Sequence, residues 1–180
     1  MIEFNVAQLL KSPVGTTREY DVDETLPTIE EYETTEPVRG HVKLTRTNRG
    51  ILVDARLTTA VRLQCSRCLE ELVTPLAFRI HEEFLPTVDV ATGLPLQIPE
   101  GGDAFAIDEH HILDLGEAIR QYGLLELPLQ PLCRAECAGL CLTCGKNLNY
   151  GRCGCPPERT DGRTGILGQL LGQLQNANKE

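Results

Sequence analysis

From Val42 to Phe84 the chain alternates between apolar and polar positions. Val42 and Leu44 alternate with Lys43 and Thr45, and Thr47-Asn48-Arg49-Gly50 then supplies a turn. After it Ile51, Val53, Ala55, Leu57, Thr59, Val61, Leu63 and Cys65 hold the odd positions, opposite Asp54, Arg56, Arg62 and Gln64. On the return, Leu72, Thr74, Leu76, Phe78, Ile80 and Phe84 hold the even ones. Period two sustained this long predicts β structure with one face buried and one wet. Strands usually run about 5–6 residues, so a bend or break is expected near Thr58–Ala60. Cys65-Ser66-Arg67-Cys68 forms the hairpin tip, and Pro75 marks the returning strand as an edge or as bulged there.

The flanks are read from caps and breakers. Asn5 caps a short helix with Val6, Leu9 and Leu10 on its apolar edge and Gln8 in a capping-box position, and Ser12-Pro13 stops it. Residues 19–36 hold eight acids around Pro27, which reads as an edge strand with an acidic loop or a partly disordered arm. A loop rich in Pro and Gly covers 86–104, after which Phe105-Ala106-Ile107 returns to the sheet. Asp114-Leu115-Gly116-Glu117 is a capping-box start for a helix that turns Leu115, Ile119 and Tyr122 inward and ends by Pro128. Ile166, Leu167, Leu170, Leu171 and Leu174 share one face of a C-terminal helix, weakened by Gly168 and Gly172. The fold class expected is α+β: a curved antiparallel β-sheet or partly open barrel, a few short helices, and a small C-terminal Cys-rich zinc-binding module. The division expected is 1–127 for the sheet domain and 128–180 for the module.

The cysteines change the picture most. Of eight in 180 residues, six lie between Cys133 and Cys155. The chain has no apolar run of about 18 residues, and its start has no basic segment leading into an apolar one, so a cytoplasmic protein without a membrane span is expected. In a reducing compartment clustered cysteines read as metal ligands rather than disulfides. Cys141-x-x-Cys144-Gly145 is the pattern of a metal knuckle, in which two thiolates point at one tetrahedral ion over a glycine turn. Cys133 with Cys137, or Cys153 with Cys155, can complete a four-sulfur zinc site, and spacing does not choose between them. Cys65 and Cys68 belong to a second ion or are two packed thiols.

Other chemistry finds little support. Neither Cys-x-x-Cys opens a helix after a strand, as a redox pair would. His110 and His111 are adjacent, which seldom lets two imidazoles converge on one ion, and His41 and His81 read as structural. Cys144-Gly145-Lys146 lacks the upstream glycine of a phosphate loop. No nucleophile stands in a catalytic context, so no enzyme is expected.

Charge adds a polarity. The net charge is -9, yet residues 39–67 hold seven bases and one acid, a local +6 that leaves -15 for the remainder. Lys43, Arg46, Arg49, Arg56, Arg62 and Arg67 are therefore candidates for RNA binding, or else the solvated face of a sheet. The acidic remainder suits a basic partner such as a ribosomal protein.

Cys65-Ser66-Arg67-Cys68-Leu69-Glu70, then Asp114-Leu115, Leu127-Pro128-Leu129, and Cys133…Cys137-Ala138-Gly139-Leu140-Cys141-x-x-Cys144-Gly145-x-Asn147-Leu148-Asn149…Cys153-Gly154-Cys155 resemble the bacterial YceD family. The likeness runs from about Val38 to Leu174. It implies a role in the accumulation or processing of large-subunit ribosomal RNA. Where family members carry Asp-Pro-Arg after the cysteines, Asp161-Gly162-Arg163 stands here, implying a looser turn. Because some members lack much of the second cysteine block, the resemblance implies that zinc serves stability, and it carries over no catalytic residue. The expected function is a non-enzymatic factor of large ribosomal subunit biogenesis with a structural zinc, acting on large-subunit rRNA, a ribosomal protein, or both. The alternatives are a zinc- or thiol-dependent enzyme and a protein adaptor without RNA contact.

Overall fold

The computed structural model describes residues 2–25, 32–97 and 105–155. Its elements in chain order are β1 (Glu3–Asn5), α1 (Ala7–Leu10), β2 (Thr17–Glu24), β3 (Glu33–Thr34), β4 (Val38–Arg46), β5 (Ile51–Gln64), β6 (Glu71–Pro86), β7 (Ala106–Ile107), β8 (Ile112–Asp114) and α2 (Gly116–Glu126). Two compact units result: Met1–Ser66 with Glu70–Cys133, and Arg67–Leu69 with Arg134–Glu180.

The first unit is a curled sheet of eight strands, a half-barrel in the order β1-β8-β7-β6-β5-β4-β2, with β3 beside β5. Its spine is the β5–β6 hairpin, paired without interruption from Ile51↔Phe84 to Gln64↔Glu71. The period-two pattern dictates this, since the inward Ile51, Val53, Ala55, Leu57, Ile80 and Phe84 are all buried. The β4–β5 turn is tied by Thr47, whose Oγ1 accepts from Gly50 N at 2.9 Å. Only glycine fits at residue 50, because a Cβ there would lie 2.0 Å from the Phe84 carbonyl oxygen.

The break expected at Thr58–Ala60 falls in the neighbour rather than in β5. β4 pairs with β5 up to Thr58, and β3 takes over at Val61 and Arg62. The exchange is bridged by Thr35 N donating to Ala60 O (2.8 Å) and Thr59 Oγ1 to Glu36 O (2.8 Å). Alternation lapses only there, where Thr59, Ala60 and Val61 are buried in succession. Pro75 stays in register opposite Ala60, on a stretch of β6 with no second neighbour among the described residues, so its missing N–H disturbs no ladder.

The curved sheet with a partly open barrel shape is as expected, and it is mixed at one place. β7 lies parallel to β6, through Leu85↔Ala106 and Pro86↔Ile107. The connection over 87–105 is long enough for the crossover that a parallel pair needs. The acidic segment begins as an edge strand, β2, paired from Thr17↔Thr45 to Glu24↔Val38. The sheet's two ends approach through the rings of Phe4 on β1 and Tyr20 on β2, whose centroids are 4.8 Å apart.

Both helices predicted in this unit are present, but their N-caps are Val6 and Leu115 rather than Asn5 and Asp114, which brace the first turn from one residue earlier. Asn5 Oδ1 accepts from Ala7 N at 3.1 Å, and Asp114 Oδ1 from Gly116 N at 2.8 Å. Glu117, however, turns to Arg120 and Gln121 instead of reaching back. Leu115, Ala118 and Ile119 are buried, and Tyr122 donates its hydroxyl to Glu82 on β6.

In the second unit Arg67 Nη1 donates to Cys137 O (3.1 Å), and Leu140 N to Arg67 O (3.1 Å). Asn149 organises the interior: its Oδ1 accepts from Ala138 N at 2.8 Å and its Nδ2 donates to Cys137 Sγ at 3.3 Å. A single 3-10 turn, Leu148–Tyr150, follows, capped by Asn147 Oδ1 accepting from Asn149 N at 2.9 Å. The expected helix at 166–174 and the Asp161-Gly162-Arg163 turn lie outside the described residues.

Candidate metal centre

Residues 141–146 fold into a knuckle. Gly145 N donates to Cys141 O and Cys141 N to Lys146 O, both at 2.8 Å. The loop closes because Gly145 takes φ +70°, a left-handed conformation open to glycine without strain. Closure aims the N–H groups of Cys144 and Thr143 at the Cys141 sulfur. With help from the neighbouring Cys153 thiol, they bring the Cys141 pKa down to about 6.

The hairpin tip at 65–70 repeats this design. Cys65 N donates to Glu70 O at 2.9 Å, matching the Cys141–Lys146 closure one for one. The left-handed position is held by Leu69, at φ +61°, where the other knuckle has glycine. Sequence reading found both Cys-x-x-Cys pairs but not this kinship, because leucine carries no signal for a left-handed residue.

The thiols fall into two quartets: Cys141, Cys144, Cys153 and Cys155, and Cys65, Cys68, Cys133 and Cys137. Within each, the sulfurs lie within 4.8 Å of one another. Four sulfurs about 2.3 Å from a tetrahedral ion stand about 3.8 Å apart, so both arrangements fit a metal. In the first quartet Cys153 Sγ is 3.3 Å from Cys141 Sγ. The hydrogen bond with Cys144, along with burial, pushes the Cys155 thiol up to about 12. The protons held among these sulfurs are those a bound cation would displace. In the second quartet Cys65, Cys68 and Cys137 are buried, whereas Cys144 in the first is exposed. Each quartet can hold one ion with four sulfurs and no open coordination position.

The bases singled out on the strands are mostly engaged. β2 sets Glu19, Asp21 and Asp23 opposite Lys43, His41 and Arg39 of β4. The contacts are Lys43–Glu19 at 3.9 Å, His41–Asp21 at 3.0 Å and Arg39–Asp23 at 3.2 Å. Arg46 serves the turn, its Nε donating to Leu10 O and its Nη1 to Gly50 O, each at 3.0 Å. Arg49 pairs with Glu83. Arg62 reaches Glu33 at 3.0 Å and Glu71 at 3.4 Å. Arg67 is spent on the Cys137 carbonyl. Arg56 alone of the six candidates is exposed with no hydrogen bond or ion pair among the described residues; it lies opposite Arg79, which binds Asp54 at 2.6 Å. The Arg79 hydrogen bond holds the Asp54 carboxyl below its usual range. Sequence reading counted the bases and missed their partners, although the alternate acids at 19, 21 and 23 were the available signal. His110 and His111 do not converge on a metal with other ligands among the described residues.

The profile of the family described as large ribosomal RNA subunit accumulation protein YceD matches residues 53–171. Among curated proteins, the chloroplastic large ribosomal RNA subunit accumulation protein YCED homolog 1 of Arabidopsis thaliana is 27% identical over 82% of this chain and 52% of its own length. The maize protein of the same name is 29% identical over 73% of this chain and 53% of its own. An uncharacterized protein of Mycobacterium tuberculosis is 32% identical over 69% and 58%. The chain thus spans about half the length of the curated plant relatives it matches. No solved structure matches it significantly. No helix among the described residues is long and apolar enough to cross a membrane.

Proposed function

The chain belongs to the YceD family, and on that premise we propose that it is a non-enzymatic factor of large ribosomal subunit biogenesis, supporting accumulation or processing of large-subunit rRNA. The observation that carries this reading is the family match, which covers both the β5–β6 hairpin and the cysteine block. The partners are large-subunit rRNA or its precursor, a basic ribosomal protein, or both. The cofactor is zinc, one ion on each sulfur quartet, and its place is a reducing compartment such as the cytoplasm. Thiolate-only donor sets select soft or borderline metals, and four of them saturate a tetrahedral ion. A catalytic zinc keeps a position for water or substrate, so the donor sets favour a stabilising ion over the enzymatic alternative.

The test is depletion of the chain in its own cell, with the ratio of large- to small-subunit rRNA as readout. The ratio should fall and recover on re-expression; an unchanged ratio rejects the proposal. Affinity capture with and without nuclease separates an RNA partner from a protein one.

A further inference from the structure

We propose that the cysteine-rich unit carries the RNA contact, with Tyr150 as a stacking platform and Lys146 and Arg152 as phosphate contacts for an unpaired stretch of RNA. The proposal deepens the rRNA reading above and rests on it.

Charge on the two units is disposed differently. On the sheet acids outnumber bases, and most bases of the basic strands are paired with acids or carbonyls, which leaves few free cations there. In the second unit the described residues hold four bases (Arg67, Arg134, Lys146, Arg152) and one acid, Glu136, a net +3 in a chain of net -9. Arg134, Lys146 and Arg152 are exposed and make no ion pair among the described residues. Lys146 Nζ donates to the Arg152 carbonyl at 3.2 Å, which fixes the ammonium beside residue 152 without neutralising it.

Two residues from Arg152, Tyr150 ends the 3-10 turn and is 74% exposed. The turn is held from within by the Asn147 and Asn149 side chains, so the tyrosine is presented on a braced backbone. An exposed aromatic residue within four residues of two exposed bases is a combination suited to single-stranded RNA, through base stacking and phosphate contacts. A duplex offers no free base face to such a ring.

The rival role for the two bases is internal. Four thiolates around Zn²⁺ carry a formal -2, which nearby cations offset. In that role their removal would weaken metal retention and leave RNA affinity untouched.

The experiment measures binding of the zinc-loaded chain to a fluorescent single-stranded oligouridine of about 12 nucleotides, a length within the usual site size. Zinc content is determined for every variant. Tyr150→Ala should weaken binding about tenfold while Tyr150→Phe retains it. Lys146→Ala with Arg152→Ala should lower the slope of log K against log salt by about 1.4, two phosphates' worth for a single strand. Arg56→Glu on the sheet should change little. The proposal is overturned if the Tyr150 and Lys146/Arg152 variants bind as wild type, if they lose RNA only together with zinc, or if Arg56→Glu alone abolishes binding. A wild-type chain that binds neither this probe nor fragments of large-subunit rRNA removes direct RNA contact altogether. Its biogenesis role would still be judged separately by the rRNA ratio.

Discussion

The hydroxyl of Tyr32 sits where a side chain on Gly123 would begin: a Cβ at residue 123 would lie 2.2 Å from that oxygen and 3.1 Å from the ring carbon bearing it. Tyr32 reaches this point to approach the Ile119 carbonyl, 3.5 Å away on the same helix. Glycine in mid-helix costs α2 about 1 kcal/mol relative to alanine, and the tyrosine is what makes it necessary.

Gly123→Ala should therefore destabilise the chain by about 1–2 kcal/mol, overpacking outweighing the propensity gain. In urea titrations the same substitution made on a Tyr32→Phe background should cost less. Equal costs on the two backgrounds would sink the account.

The two knuckles make opposite predictions at equivalent positions. Leu69 occupies a left-handed conformation that costs an ordinary residue about 1–2 kcal/mol, and its side chain is exposed. Leu69→Gly should thus be neutral or stabilising by up to about 1 kcal/mol, after the extra entropy of glycine in the unfolded chain is counted. Gly145→Leu should destabilise by about 1 kcal/mol, although nothing lies within 4 Å of its position, because the backbone alone resists. Thermal unfolding of the zinc-loaded variants checks both signs.

Metal content should be two zinc ions per chain, and Cys141→Ser with Cys144→Ser should leave one. Cobalt substitution should give thiolate charge-transfer bands with no sign of bound water. A chelator should strip the ion of the exposed Cys144 quartet sooner than that of the quartet whose Cys65, Cys68 and Cys137 are buried. Loss of both ions at one rate would remove the distinction.

Acid stability should depend on Glu117. Hydrogen bonds from Arg120 and then Gln121 bring its pKa down to about 2, against an ordinary value of 4.5. A carboxyl depressed on folding adds stability above its unfolded pKa and loses it as pH falls through the folded one. The stability gap between wild type and Glu117→Gln should hold above about pH 5 and close toward pH 2. The gap itself should be small, since the side chain is half exposed and well screened. A gap that widened on acidification would contradict the sign.

Much of the half-barrel was legible because period two is a strong signal over strands as long as β5 and β6. The parallel pairing of β7 was not, since two residues carry no readable periodicity. The knuckle at Cys141 was legible from its glycine. The assignment of Cys153 and Cys155 to it, and of Cys133 and Cys137 to the hairpin tip, depends on contacts distant in sequence that spacing does not encode. Whether the basic block at 39–67 was an RNA-binding patch or the solvated face of a sheet stayed open, because composition counts charges and is blind to register; β2 lays its acids against Arg39 and Lys43, and Glu33, Glu71 and Glu83 reach Arg62 and Arg49 from other strands.

The meeting of Phe4 and Tyr20 gives the curled sheet a weak line. Among the described residues no backbone ladder joins β1 to β2, so two rings hold together what hydrogen bonds hold elsewhere around the wall. Local opening should start there, with the β1 amides exchanging with deuterium well before those in the middle of β5. The half-barrel is in that sense a sleeve with one unstitched side, and the apolar interior would be wetted first along the β1–β2 seam.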